Sequence, residues 1–242
     1  MTAPGAPALW QSIHDTLADE IGGGRYAPGA KLPTEAELAR RFSVNRHTVR
    51  RALAALAEAG RIHVRRGAGA FVTQARLDYA IGPRTRFSQN LTAAGHTPER
   101  QLLRIETLAA DATELRFLRL PKGAEVHVTE SISLADGIPV TYSRMAFPAA
   151  RLPGLPQALR AAPSITAALA RCGVADYHRL WTRLTAERPG AMIARHLRMP
   201  ETSPVLRSES LDTDAAGKPV EYGISCFYSE RVQLVVDRSS FP

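Results

Sequence analysis

The chain has little of what disulfide frameworks, cysteine-bound metals or membrane spans require. Only two of its 242 residues are cysteine, Cys172 and Cys226, far apart and outside any CxxC spacing. Neither a zinc site nor a redox pair is suggested, and two buried, reduced thiols are the expectation. No apolar run approaches the ~20 residues of a membrane-spanning helix. No charged-then-apolar leader pattern opens the chain, so a cytoplasmic protein without membrane association is expected. Lysine is scarce as well: Lys31, Lys122 and Lys218 are the only ones in a Lys+Arg total of 31. At 45% apolar residues the chain has ordinary core-forming capacity, and its length suits one large domain or two ordinary ones.

What the chain does have is arginine, concentrated in one stretch. The formal net charge is +8, and Arg40, Arg41, Arg46, Arg50, Arg51, Arg61, Arg65 and Arg66 face one acid, Glu58, between positions 40 and 66. Solvated faces usually mix signs, whereas a single-sign cluster is the footprint of a polyanion partner. The surrounding pattern agrees. Trp10, Ile13, Leu17 and Ile21 recur at helical spacing, ending at Gly22-Gly23-Gly24. Thr34 and Glu37 form a capping box before a second helix with Leu38 and Phe42 inward. After a short Ser43-Val44 joint, Asn45 is suited to cap a third helix whose Val49, Leu53 and Leu56 face the core.

Arg46 and Arg50 then lie one turn apart on the outer face, with His47 and Thr48 beside them. Ile62 and Val64 begin a strand, Arg65 to Gly69 make a turn, and Phe71-Val72 return. This is the order of parts in a winged helix-turn-helix. There the start of the second motif helix enters the major groove, arginine reads guanine in bidentate fashion, and Thr48 or the helix end binds phosphate. His47 is equally a base contact or an exposed cap-region residue.

Beyond Gln74 the pattern changes. Residues 74–80 read as a linker. Arg84 and Arg86 precede a helix expected to be capped by Ser88 and to end at Gly95, a natural cradle for a small anion. A repeat comes next: Leu118-Arg119-Leu120-Pro121 echoes Leu197-Arg198-Met199-Pro200, Glu130-Ser131 echoes Glu209-Ser210, and Pro139-Val140 and Tyr142 echo Pro219-Val220 and Tyr222. Each copy reads as a short helix, a strand, a glycine turn and a return strand. Two such copies predict an antiparallel sheet with quasi-two-fold symmetry and helices on one face. Alternation puts Val126, Val128, Ile132 and Leu134 on one side and Thr129, Ser131 and Ser133 on the other. Ser131 and Ser133 are thus expected to line a polar cleft with Ser143 and Arg144, or to be a solvated sheet face. Ser164 and Thr166 open a further helical stretch after Pro163.

The block LPTEAELARRFSVNRHTVRRALAALAEAGRI…RGAGAFV resembles the DNA-binding domain of the GntR superfamily, over the first third of the chain. The resemblance implies a dimeric transcription factor in which Asn45, Arg46, Thr48, Arg50 and Gly67 contact operator DNA; Thr34, His47 and Arg66, beside them in the sequence, complete the expected DNA-binding set. It also implies that Ala36 removes an arginine contact and that Ala68 and Ala70 replace polar wing residues, shifting specificity onto Arg46 and Arg50. The stretch from about Ile81 to Val236 resembles the UTRA domain of the HutC branch, with a chorismate-lyase-like fold. IGPRTRFSQNL, LADGIPV and VEYGISCF resemble the subgroup of that branch that regulates phosphonate uptake and C–P lyase genes.

Together these resemblances imply an α+β protein: a winged helix-turn-helix at 1–73, a linker at 74–80, and a UTRA domain for effector binding and dimerisation at 81–242. The expected effector is a small anion, a phosphonate or phosphate-like group. Arg84, Arg86, Ser88, Asn90 and Arg144 are expected to hold it, within a cleft also formed by Phe87, Ser131, Ser133, Ser143, Ser164, Thr166 and Glu221. Two other readings stand beside this one. The effector can be another metabolite, such as a sugar phosphate or a histidine-pathway intermediate. Alternatively the lyase-like domain is an enzyme drawing on Glu130, Glu209 or Glu221 and His127, His178 or His196; nothing sets these in catalytic order, and neither catalysis, cofactor nor metal is expected.

Overall fold

A computed structural model describes residues 8–65, 67–73, 76–162 and 164–236. The chain divides into two compact units, residues 1–75 and 76–242.

The first unit runs α1 (Leu9–Gly22), α2 (Glu35–Phe42), α3 (Arg46–Glu58), β1 (Ile62–Arg65) and β2 (Gly69–Val72). Its core joins Ile13 and Leu17 of α1, Leu38 of α2 and Val49, Ala52, Leu53 and Leu56 of α3. The helix starts form because side chains satisfy their orphan amides. Thr34 Oγ1 accepts from the Glu37 amide at 3.3 Å while Glu37 accepts from the Thr34 amide at 2.7 Å. Asn45 Oδ1 accepts from the Thr48 amide at 2.9 Å. Between α2 and α3 the chain turns through Ser43, in the left-handed region at φ 54°. The hairpin pairs Ile62 with Val72 and Arg65 with Gly69, and its turn uses Gly67 at φ 76°. Of the two wing alanines, Ala68 is exposed and Ala70 is buried, because the strand's period of two turns Ala70 inward with Val72.

In the second unit the elements are β3 (Leu77–Ala80), α4 (Phe87–Ala93), β4 (Pro98–Ala109), α5 (Ala112–Phe117), β5 (Glu125–Ala135), β6 (Ile138–Pro148), α6 (Leu155–Ala161), α7 (Ile165–Arg171), β7 (Tyr177–Glu187), α8 (Ala191–His196), β8 (Val205–Asp214), β9 (Pro219–Tyr228) and β10 (Val232–Val235). Six strands form one antiparallel sheet in the order β4-β5-β6-β9-β8-β7. That order is a palindrome of the repeat. One half is β4–α5–β5–β6 and the other β7–α8–β8–β9, so each copy includes an outer strand that the sequence echo did not reveal. Arg119 and Arg198 come just after α5 and α8 with the same left-handed backbone, φ 54° and 49°. Each half's helix also covers the other half's tyrosine: Phe117 stacks on Tyr222 at 5.3 Å and His196 on Tyr142 at 5.8 Å.

Helices cover both faces of this sheet, not one. Helices α5 and α8 pack on the side of Val126, Tyr142 and Tyr222. On the opposite side α6 and α7 pack against Met145 and Phe147, and α4 lies near Val140 and Phe227. Both faces carry apolar residues, so both demand a cover. The expected linker is also shorter than 74–80. Leu77 and Tyr79 alternate inward and pair in parallel with Val232 and Leu234, a partner strand near the far end of the chain that no local signal announces. Helix α4 starts at Phe87 with Arg86 as its N-cap, so Ser88 lies in the first turn and does not cap it.

Candidate nucleic-acid interface and effector cavity

The start of α3 presents Asn45, Arg46 and His47 to solvent, with Thr48 half-buried behind them. Thr34 is exposed, its hydroxyl engaged with Glu37 at 2.7 Å, and the Thr48 hydroxyl donates to Asn45 at 2.9 Å. Gly67 stands at the exposed tip of the hairpin, whereas Arg66 lies outside the described residues. Arg50 is held: its Nε and Nη2 bond the two oxygens of Glu35 at 3.1 and 2.8 Å. That bond to Arg50 holds the Glu35 carboxyl below its ordinary range. Arg41 is bound to Glu20, and Arg51 lies over the Trp10 ring at 4.6 Å. Counting charge only from 40 to 66 therefore overstates the free positive charge, because Glu20 and Glu35 fold onto that stretch from outside it.

The second unit contains a cavity of about 370 Å³ beneath α4 and α7. Arg86, Phe87, Ser88, Ser131, Ser133, Ser143, Ser164, Thr166 and Glu221 all line it. Three other candidates do not. Arg84 is exposed and pairs with Asp176 at 2.7 Å. Asn90 clamps α4 to β3 through the amide and carbonyl of Ala80, both at 3.1 Å. Arg144 pairs with Glu114 at 2.8 Å on the far side of the sheet, since neighbours on a strand point oppositely and Ser143 takes the cavity side. Arg100, Arg179, Asp212, Ser210 and Ser225 were not among the candidates, yet they also line the cavity.

Arg86 is 9% exposed. Its Nη2 donates to the Tyr177 carbonyl at 2.5 Å and its guanidinium lies 3.5 Å above the Tyr177 ring. Its Nη1 is buried with no hydrogen-bond partner among the described residues. Arg179 is paired with Asp212. Burial, reinforced by the Asp212 charge, pushes Glu221 up to about 8, so this carboxyl is largely protonated at neutral pH. Arg100, with burial depressing its pKa, donates through Nη2 to the Leu159 carbonyl at 2.9 Å, and its Nη1 is likewise without a partner among the described residues. Glu99, at the rim, is exposed and accepts from the side-chain Nε2 of Gln101 at 3.1 Å. Among the described residues the interior thus holds two cations with no acid bound to them and a floor of hydroxyls, an arrangement complementary to a small anion.

Of the six acids and bases named for an enzymatic reading, Glu130, Glu209, Glu221, His127, His178 and His196, Glu221 alone lines the cavity. His127 is held by Thr107 at 2.7 Å and the Leu152 carbonyl at 3.1 Å, His178 by Thr213 at 3.1 Å, and His196 stacks on Tyr142. Glu130 and Glu209 lie on the opposite face, where Tyr222 donates to Glu209 at 2.9 Å.

Comparison with known proteins agrees with this division. Residues 9–72 match the gntR family of bacterial regulatory proteins and residues 93–233 match the UTRA domain. An uncharacterized HTH-type transcriptional regulator of Rhizobium meliloti (strain 1021) is 33% identical over 231 residues, 95% of each chain. The probable transcriptional regulator PhnF of Escherichia coli (strain K12) is 29% identical, covering 96% of this chain and 95% of its own. The crystal structure of PhnF from Mycobacterium smegmatis superposes with a TM-score of 0.65 at 25% identity, over 93% of this chain and 98% of that one. The chain belongs to the gntR family of bacterial transcriptional regulators, in the group that carries a UTRA domain.

Proposed function

We propose that the protein is a cytoplasmic, homodimeric repressor of genes for phosphonate uptake and C–P bond cleavage, released from or tuned on its operator by a phosphonate or phosphate-like anion. Residues 1–73 read double-stranded DNA and residues 81–242 bind the effector and dimerise. The observation that carries the effector class is the buried Nη1 of Arg86 inside the cavity, unpartnered among the described residues. The likeness to regulators named PhnF supports the choice of phosphonates. In a dimer the two α3 helices meet successive major grooves about one helical turn apart, through Arg46, His47 and, once Glu35 yields it, Arg50. Effector binding need bias the protein by only ~1–3 kcal/mol to change occupancy appreciably. No catalytic step is assigned.

The test is a gel-shift titration on an operator fragment selected from random DNA. Arg46→Ala is expected to weaken specific binding by roughly 5–150-fold, the equivalent of ~1–3 kcal/mol for a lost base contact, with the dimer intact by gel filtration. Unchanged specific affinity in that variant at physiological salt contradicts the assignment of α3 as the reading helix.

A further inference from the structure

The two halves of the sheet present the same row of positions to the cavity with different chemistry. The repeat that aligns Glu130 with Glu209 and Tyr142 with Tyr222 also aligns Arg100, Ser133 and Thr141 with Arg179, Asp212 and Glu221. Strand pairing confirms the correspondence. Arg100 stands opposite Ser133, and Ser133 opposite Thr141. Arg179 stands opposite Asp212, and Asp212 opposite Glu221. Directly opposed side chains on one face lie ~5 Å apart, so each trio forms a contiguous row. All six residues line the cavity.

In the second row the guanidinium has its acid: Asp212 accepts from both Nε and Nη2 of Arg179, with Glu221 alongside. In the first row hydroxyls replace both carboxyls. Arg100 Nη1 and Thr141 Oγ1 are both buried without a hydrogen-bond partner among the described residues. The nearest acid in sequence, Glu99, sits exposed at the rim and is bonded to Gln101. A guanidinium withdrawn from water without a counter-charge is costly, and the second row shows how this same fold satisfies one.

We propose that the acidic group of the effector binds in the first row, accepting from Arg100, Ser133 and Thr141 and taking the place against Arg100 that Asp212 takes against Arg179. This deepens the reading of the cavity as an anion site and rests on it. The chemistry required is a phosphonate, phosphate or carboxylate group on a small organic body. Arg86 stands at the other side of the floor, bonded to the carbonyl of Tyr177 in β7, whereas Arg100 belongs to β4, the opposite edge strand. The body therefore extends from Arg100 toward Arg86. A cavity of about 370 Å³ has room for such a body, far beyond the ~30 Å³ share of a single water.

The decisive variant transplants the second row's acid into the first. Ser133→Asp supplies Arg100 with an internal carboxylate and excludes the ligand's. The full-length protein is titrated calorimetrically with inorganic phosphate, 2-aminoethylphosphonate and phosphonoacetate, and melting temperatures are recorded without ligand. The expected result is binding of at least one organic phosphonate by the parent, more tightly than inorganic phosphate. Ser133→Asp should bind it at least tenfold more weakly yet melt higher, by roughly 2–4 °C. Arg100→Gln should also bind at least tenfold more weakly. A Ser133→Asp protein that binds within twofold of the parent, or that melts lower, overturns the assignment while the anion reading stands. Equal or tighter binding of inorganic phosphate alone overturns the organic-body part. Failure of all three probes to bind the parent overturns both the assignment and the reading beneath it.

Discussion

The arginines at the start of α3 stand in water, and those of the cavity do not. Arg46 and Arg50 are exposed, while Arg86 is nine-tenths buried and Arg100 is partly withdrawn with one nitrogen sealed from solvent. The difference sorts one residue type into two kinds of recognition. Exposed charges act through a medium that screens them over about 10 Å at 0.1 M salt, which suits a polyanion offering many phosphates in a row. A buried guanidinium has already lost its hydration and gains most from one well-placed anion. The first unit holds its reserve in a different form: Glu35 grips Arg50 until a stronger anion competes.

Removing the most buried cation should have the largest effect. Arg86→Ala is expected to weaken effector binding by roughly 10–150-fold, the equivalent of the ~1.5–3 kcal/mol of a charged hydrogen bond, with operator affinity retained; calorimetry beside a gel shift checks both. Next comes the floor itself. A Cβ on Gly223 would lie 2.3 Å from Met145 Sδ, so Gly223→Ala must shift the Met145 side chain, which lines the cavity. The expected cost is ~1–3 kcal/mol, read as lower effector affinity and melting temperature together.

A smaller effect concerns Glu221. Its folded pKa of about 8 exceeds the ordinary 4.5, so the folded carboxyl keeps a proton that the unfolded one releases in that window. Stability should therefore fall as pH rises from about 4.5 to about 8 and level above it, and Glu221→Gln should flatten that component of the melting profile. Burial is the main cause of the rise; the facing Asp212 charge adds to it, while Arg179 and Arg86 oppose it. Smallest is the release of Arg50. The Arg50–Glu35 pair is exposed and screened by solvent, so Glu35→Gln should tighten operator binding by only a few-fold, measured by gel shift at fixed salt.

Much of the first unit was legible in the sequence because its signals are local. Thr34 with Glu37, Asn45 before α3, and the inward Leu38, Val49, Leu53 and Leu56 are read within a few residues of each other. The duplicated sheet was legible too, through Tyr142 and Tyr222 and the paired Leu-Arg-x-Pro turns. What escaped depends on partners distant in the chain. Arg100 and Arg179 belong to edge strands outside the recognised echo, and only strand pairing sets them beside Ser133 and Asp212. Arg84 and Arg144 looked suited to an anion by type and neighbourhood, but Asp176 and Glu114 claim them from far along the chain. Residue type indicated an anion; only the sheet register indicates which arginines can meet it.

The most direct measurement is the salt dependence of both affinities on one sample of the protein. Operator binding and 2-aminoethylphosphonate binding are compared between about 50 and about 200 mM salt, the range over which a protein with six to ten phosphate contacts loses roughly 10³–10⁵ in DNA affinity. The expected result is a steep fall for DNA and, for the phosphonate, a change of no more than a few-fold. Parallel falls for the two ligands, or a DNA affinity indifferent to salt, would contradict the division between exposed and buried arginines.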